Sequence, residues 1–287
     1  MRMTVEEADR IRQELWDEDV EVWEAHWVPI FRRFARHLVG EARISKGQIA
    51  LDIGTGTGIA AFKAARVVGQ GGFVFGIDLS RRMLEAANHK ATKTRPRNLK
   101  FLFMDARHLY FPDSIFDAVI SNCGISFLNF DEVATEAFRV LKPGGCFVYN
   151  TWRLKKVKAH KIFGDVLQRH RTDNPSFRLR TLRTALAIFE RYANRKMTLN
   201  FQLRELRRVG FAGIRFKERT YRVRLSGVYA FLDMRFSSAS LRREFRELRK
   251  KERRVLYNEL AAELKEFTKD KSFAFDWPVT FIEAKKI

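Results

Sequence analysis

The stretch LDIGTGTG, Leu51 to Gly58, sets three glycines at alternate positions directly behind an apolar run. Such a run is a strand entering a turn whose backbone, lacking Cβ atoms, can lie close against a nucleotide. Working outward, QIALDIG is that strand, and a helix is predicted from Ile59 to Val68, closed by GQGG. The strand FVFGID follows, then a helix capped by Ser80 with Met83, Leu84 and Ala87 on one side. A basic loop, KATKTRPRN, leads to the strand LKFLFMD. After the turn FPDS come the strand FDAVISN, the helix DEVATEAFRVL, the turn KPGG and the strand CFVYNTW.

Strands alternating with helices across short turns predict an α/β fold, a parallel sheet with helices on both faces. Right-handed crossovers bring the carboxyl ends of the strands to one edge, where ligands bind. The glycine turn lies at that edge with Asp78, Asp105 and Asn122, each at or just past the end of its strand.

Which ligand the turn receives depends on its spacing. A dinucleotide turn wants G-x-G-x-x-G, but the third glycine comes one position early, at Gly58, and Ile59 stands where the pattern needs it. A triphosphate loop wants G-x-x-x-x-G-K-[ST], which Ala61, Phe62 and Lys63 do not supply. Asp52 sets a carboxylate beside the turn, repulsive toward a pyrophosphate but favourable toward the ammonium and sulfonium of S-adenosylmethionine. Asp78 is placed to accept two ribose hydroxyls, and Asp105 the adenine amine, with the backbone of Met104 and Ala106 beside it. Leu79 and Met83 are candidates for the apolar walls of an adenine site.

LDIGTGTG, GIDLS, MDA, FDAVISN and LKPGG, in that order, resemble the motifs of class I S-adenosylmethionine-dependent methyltransferases. The resemblance covers residues 45–152 and extends more weakly to LNFQLRELRRVGFAGIRF and FAFDWPVTFIEAKK, similar to that family's last helix and antiparallel final strands. It implies a doubly wound, Rossmann-like, seven-stranded, mostly parallel sheet with an antiparallel last strand and helical cap insertions. It also implies that Asp52, Gly54, Thr55, Gly56 and Gly58 hold the methionine part, Asp78 the ribose, Asp105 and Ala106 the adenine, with Asn122 near the methyl-donor end. The branch it is most similar to acts on small molecules, including quinone-type and secondary-metabolite acceptors. No general base is nominated, and no His or Cys cluster at metal-ligand spacing is present in the sequence.

The formal charge of +21 is unevenly spread: residues 1–150 carry 20 Lys+Arg against 19 Asp+Glu, residues 151–287 carry 35 against 15. Between Arg153 and Arg224 the excess is +16. A solvated face, RNA phosphates, an anionic membrane surface or an anionic small substrate would each account for it. The predicted organisation is an N-terminal helical lid (1–44), the cofactor core (45–152), a basic helical cap (153–197) and a completion of the sheet (198–287) with a charged helical insertion near 226–270, as one domain rather than two. Trp16, Trp23, His26 and Trp27 are lid or packing residues, and His160 and His170 are expected at the surface. Cys123 and Cys146 are expected as reduced core residues. No run approaches the ~18 apolar residues of a membrane span, and the start VEEADRIRQELWDEDVEVWE is too acidic for a secretory leader, so a cytoplasmic location is expected. The function expected is methyl transfer to a small, anionic or amphiphilic acceptor. A tRNA or rRNA methyltransferase and a non-catalytic cofactor-binding scaffold are the alternatives.

Overall fold

The computed structural model describes residues 3–127, 129–152 and 156–287. Arg153, where the basic stretch begins, lies outside them. The elements run α1 (Val5–Glu18), α2 (Val20–Val22), a π-helical turn (Trp23–Trp27), α3 (Val28–Glu41), β1 (Ile49–Ile53), α4 (Ile59–Val68), β2 (Phe73–Asp78), α5 (Arg81–Thr94), β3 (Leu99–Phe103) and β4 (Phe116–Asn122). They continue with α6 (Phe130–Val140), β5 (Leu141–Trp152), α7 (Lys158–His170), α8 (Phe177–Lys196), α9 (Leu199–Val209), β6 (Phe211–Leu225) and α10 (Val228–Phe236). The chain ends with α11 (Ala239–Glu247), α12 (Lys250–Glu263), β7 (Thr268–Lys269) and β8 (Ser272–Lys286).

Two compact units are built from interleaved segments: residues 23–152, 190–218 and 280–287 form the first, residues 1–22, 153–189 and 219–279 the second. The sheet order is β3-β2-β1-β4-β5-β8-β6, seven strands as the resemblance implies, with the two-residue β7 paired to β8 as an eighth. The five strands β3 to β5 of this path are parallel and the last strands antiparallel. The order reverses between β1 and β4, which makes their carboxyl ends the crevice where such sheets receive ligands.

Local sequence explains the ends of these elements. Ser80 caps α5, its hydroxyl accepting from Met83 N at 3.1 Å, and Gly210 ends α9 in the left-handed conformation. The tetrapeptide KPGG, expected as a turn ahead of the strand, lies inside β5 instead. Leu141 pairs with Phe116 and Cys146 with Ala118, so four residues bulge out against one on β4. In the first unit, Leu51, Ile53, Val119, Phe130, Phe147 and Ile282 are among the fully buried side chains of the core. Each contributes about 1.5–3 kcal/mol by leaving water.

In the second unit, Leu15, Leu179, Leu182 and Ala239 join α1, α8 and α11. An aromatic layer of Phe231, Phe275 and Trp277 surrounds His160 at centroid distances of 5.1–5.3 Å. His160 is thus a core residue, 5% exposed, and not the surface group expected. Burial pushes its pKa well below the usual value, with Arg235 adding to the fall. His170 is not a free surface group either: its Nε2 meets Glu259 Oε2 at 2.5 Å. His160 lies on the apolar helical face of Ala159, Phe163, Val166 and Leu167, not on the basic face of the same helix. Cys123 is buried, Cys146 partly so, and both are free thiols. No helix among the described residues is long and apolar enough to cross a membrane.

Candidate functional site

All the proposed cofactor residues belong to the first unit. Register alone aligns them: Asp52 pairs with Gly76, Asp78 with Phe103 and Asn122 with Asn150, so these residues end neighbouring strands on one side of the sheet.

Asp52 is completely buried. Its Oδ2 accepts a 2.7 Å hydrogen bond from the Thr55 hydroxyl, while Oδ1 makes no well-formed hydrogen bond among the described residues. Burial pushes its carboxyl up to about 7, against the pull of Thr55 and the Ala61 amide. Thr57 Oγ1 is likewise buried and unpartnered.

The turn itself holds Gly54, Gly56 and Gly58 at φ of +65°, +54° and +88°. Gly54 is required twice over, because a Cβ there would stand 2.6 Å from Gly124 Cα, the backbone just past β4. At Gly56 the requirement differs. A Cβ would meet nothing nearer than Trp23 Nε1 at 4.0 Å, so the space over that residue is open.

Asp78, half-buried at the end of β2, accepts from Gly56 N at 2.8 Å through Oδ2 and from Ser80 N at 2.9 Å through Oδ1. It fixes the glycine turn to the start of α5. Lys90 adds a second tie, its Nζ donating to Glu24 Oε1 at 2.6 Å and to Thr57 O at 3.2 Å. Leu79 is partly exposed beside Asp78, whereas Met83 is buried on the inner face of α5.

Asp105 is engaged by its own neighbour. Arg107 grips both carboxylate oxygens at 2.7–3.0 Å, and its amide donates to Oδ1 at 2.9 Å. Burial would raise this carboxyl, but the Arg107 contacts outweigh it and hold it below the usual range. Ala106 beside it is buried.

Asn122 is locked from two sides: Oδ1 accepts from Asn150 Nδ2 at 2.9 Å, and Nδ2 points to Phe31 O at 3.5 Å. Asn150 Oδ1 in turn accepts from the Cys123 thiol at 2.8 Å. Ser121 Oγ donates to Ile53 O at 2.8 Å, tying the end of β4 to that of β1. Around them stands an aromatic group: Phe31 packs 4.8 Å from Trp23 and 4.8 Å from Trp152, and Trp27 lies 6.0 Å from Trp152. Of the four lid candidates, Trp23 therefore reaches the glycine turn and Trp27 the β5 end. His26 is half-buried, and Trp16 belongs to the second unit.

The sequence reading missed Gly124, Asn150, Arg107 and the Lys90–Glu24 tie. Gly124 and Arg107 were visible two residues past the strand ends already singled out. The other two are long-range partners without a local signal.

Residues 44–178 match the family described as "Methyltransferase domain". The demethylmenaquinone methyltransferase of Geobacillus is 34% identical over 119 residues, 39% of this chain and 51% of that protein. The arsenite methyltransferase of Halobacterium salinarum is 34% identical over 105 residues, 36% of this chain and 27% of that protein. The matched part thus spans about half or less of these relatives' length. Among solved structures, phosphoethanolamine N-methyltransferase 2 of Haemonchus contortus, in complex with phosphomonomethylethanolamine and S-adenosylhomocysteine, superposes with a TM-score of 0.55 at 19% identity. That alignment covers 94% of this chain and 57% of the other, a likeness of fold.

Proposed function

We propose that this chain, whose residues 44–178 are a methyltransferase domain of the class I, Rossmann-like kind, transfers a methyl group from S-adenosylmethionine to a small-molecule acceptor. The observation that carries the reading is the unsatisfied chemistry at the glycine turn. Asp52 Oδ1 and Thr57 Oγ1 are buried without a well-formed hydrogen bond among the described residues, within a few residues of Gly56, over which the space is open. Orphaned buried acceptors of this kind cost about 1–3 kcal/mol each, which a donor-bearing ligand removes. A cationic, amine-bearing ligand fits these residues, and a polyphosphate does not.

When bound, S-adenosylmethionine supplies an electrophilic methyl group on a sulfonium centre. The chain's own residues hold and orient it. Asp52 attracts the ammonium, and the Gly54, Thr55, Gly56 and Gly58 backbone takes the methionine part. Asp78 receives the ribose hydroxyls, Leu79 and Met83 border the adenine, and Asp105 and Ala106 close that end, with Arg107 holding the Asp105 carboxylate in place. Asn122, fixed by Asn150 and Phe31, stands at the donor end, and the Trp27, Phe31 and Trp152 rings restrict water there. In-line transfer needs alignment and dryness before it needs a base, and none of these groups is assigned as one.

The relatives are named for small acceptors, a menaquinone precursor and arsenite, which favours a small acceptor here over RNA. Calorimetry tests the cofactor reading: S-adenosylmethionine and S-adenosylhomocysteine bind, and Asp78→Ala weakens both at least tenfold, one or two charge-assisted hydrogen bonds at about 1.5–3 kcal/mol each. Absence of binding, or unchanged affinity in Asp78→Ala, refutes it. Labelled methyl transfer into quinols or phenols, but not bulk RNA, tests the acceptor.

A further inference from the structure

Within the second unit several cations are matched by carboxylates. Arg183 meets Glu244 at 2.7 Å, Arg169 meets Glu259 at 2.6 Å, and Arg243 pairs with Glu18. Among the exposed cations whose side chains meet no carboxylate among the described residues are Arg178 and Arg180 in the first turn of α8, Arg246 in the last turn of α11, and Arg249, Lys250 and Lys251 where α12 begins, the Arg249 amide alone being capped by Glu252. They form one neighbourhood. Ser176 N donates to Glu247 Oε2 at 2.9 Å and the Ser176 hydroxyl bonds Oε1 of the same carboxylate, joining the start of α8 to the end of α11. Arg249 is two residues beyond Glu247, at most about 7 Å of chain away.

In this neighbourhood Phe177, between Ser176 and Arg178 in the chain, is 82% exposed. A phenyl ring so exposed forfeits its burial energy, and cations gathered at two helix starts add like charge to the positive ends of the helix dipoles. Both features are unfavourable in water and favourable against a surface that is anionic outside and apolar beneath.

We propose that Phe177 and the cations Arg178, Arg180, Arg246, Arg249, Lys250 and Lys251 dock the protein on an anionic lipid bilayer. The ring enters the boundary between headgroups and acyl chains while the cations lie against the lipid phosphates. A single exposed ring offers no row of platforms on which successive bases of a nucleic acid would stack, whereas a bilayer takes one wedge with diffuse charge around it. This docking is independent of methyl transfer, so its failure leaves the proposed activity untouched.

The test is co-sedimentation with vesicles of phosphatidylcholine alone and of phosphatidylcholine with one-third phosphatidylglycerol. The protein is expected on the anionic vesicles only, with binding falling as salt rises. Each cation removed lowers the partition coefficient about fivefold, so Lys250→Glu with Lys251→Glu costs about 25-fold or more. Phe177→Ser costs about tenfold. Circular dichroism and S-adenosylmethionine affinity stay at wild-type values in these surface variants, separating docking from folding. Equal binding to neutral vesicles, no loss in Phe177→Ser, or binding to a single-stranded RNA oligonucleotide without binding to vesicles would overturn the proposal; the wild-type comparisons alone are decisive should a variant misfold.

Discussion

Asp52 offers the sharpest quantitative test, because its cost to the fold and its use to a ligand have opposite signs. Burial raises its carboxyl from 3.8 to about 7 in the folded chain. Between those values the folded protein holds a proton that the unfolded chain releases, so stability falls as pH rises through the window and levels off above it. A shift of roughly three units at 1.36 kcal/mol per unit amounts to about 4 kcal/mol. Asp52→Asn removes this titration while leaving an oxygen to accept from Thr55. Urea unfolding followed by tryptophan fluorescence across the window should show the variant gaining on the wild type by about 3–4 kcal/mol as pH rises from about 4 to about 7.5. Using the difference between the two proteins cancels other titrations, including Asp19, which burial raises to about 6. A cationic ligand stabilises the ionised form, so S-adenosylmethionine affinity should climb with pH up to about 7 and then plateau, by as much as tenfold per unit, and Asp52→Asn should be flat. A stability difference that does not change with pH would refute the reasoning outright.

Four further outcomes follow from the geometry. Gly56→Ala is expected to fold with a loss of about 1–2 kcal/mol from its left-handed backbone, yet to lose cofactor affinity in calorimetry, since its methyl fills only ligand space. Gly54→Ala meets Gly124 backbone at 2.6 Å and should be poorly folded by circular dichroism. Asn150→Ala frees Asn122 from its 2.9 Å restraint, so kcat should fall about tenfold or more in steady-state assays with KM for the cofactor little changed. Arg235→Met should raise the thermal midpoint in calorimetry by about 2–6 °C, because among the described residues the desolvated guanidinium meets no carboxylate, and the Phe163 ring 4.9 Å away compensates little.

What could be read from the sequence was whatever local spacing encodes. The strand and helix around LDIGTGTG and the cap at Ser80 each rest on residues within one turn of the feature, and the structure places them there. The burial of Asp52 was not legible, since it depends on β1 lying between β2 and β4. Nor was the double duty of Gly54, which comes from an approach by Gly124, 70 residues later in a neighbouring strand's exit. Asp105 shows a subtler limit. Its position was read from its place after a strand, but Arg107, two residues on, already holds both of its oxygens. His160 differs for the reverse reason: a dense run of Lys and Arg predicts a wet surface, although charges at helical spacing leave one face of α7 free to be apolar.

Asp52 and Arg235 are both charged groups held against their preference for water, and their surroundings separate what each is for. Arg235 lies among rings: its guanidinium stacks on Phe163, and burial lowers its pKa to about 10 without an acid to offset the fall. A methionine would satisfy the same packing, so nothing in its setting calls for charge. Asp52 sits instead beside a turn in which Gly56 has open space above it, and one of its oxygens makes no well-formed hydrogen bond among the described residues. An asparagine there would keep the Thr55 bond and spare the fold the charge. A carboxylate at that position lowers the free energy of the system only when a cation arrives beside it. The glycine turn is therefore better described as half of an ion pair, and the stability gained by Asp52→Asn measures how much of the binding energy the folded chain has set aside for the other half.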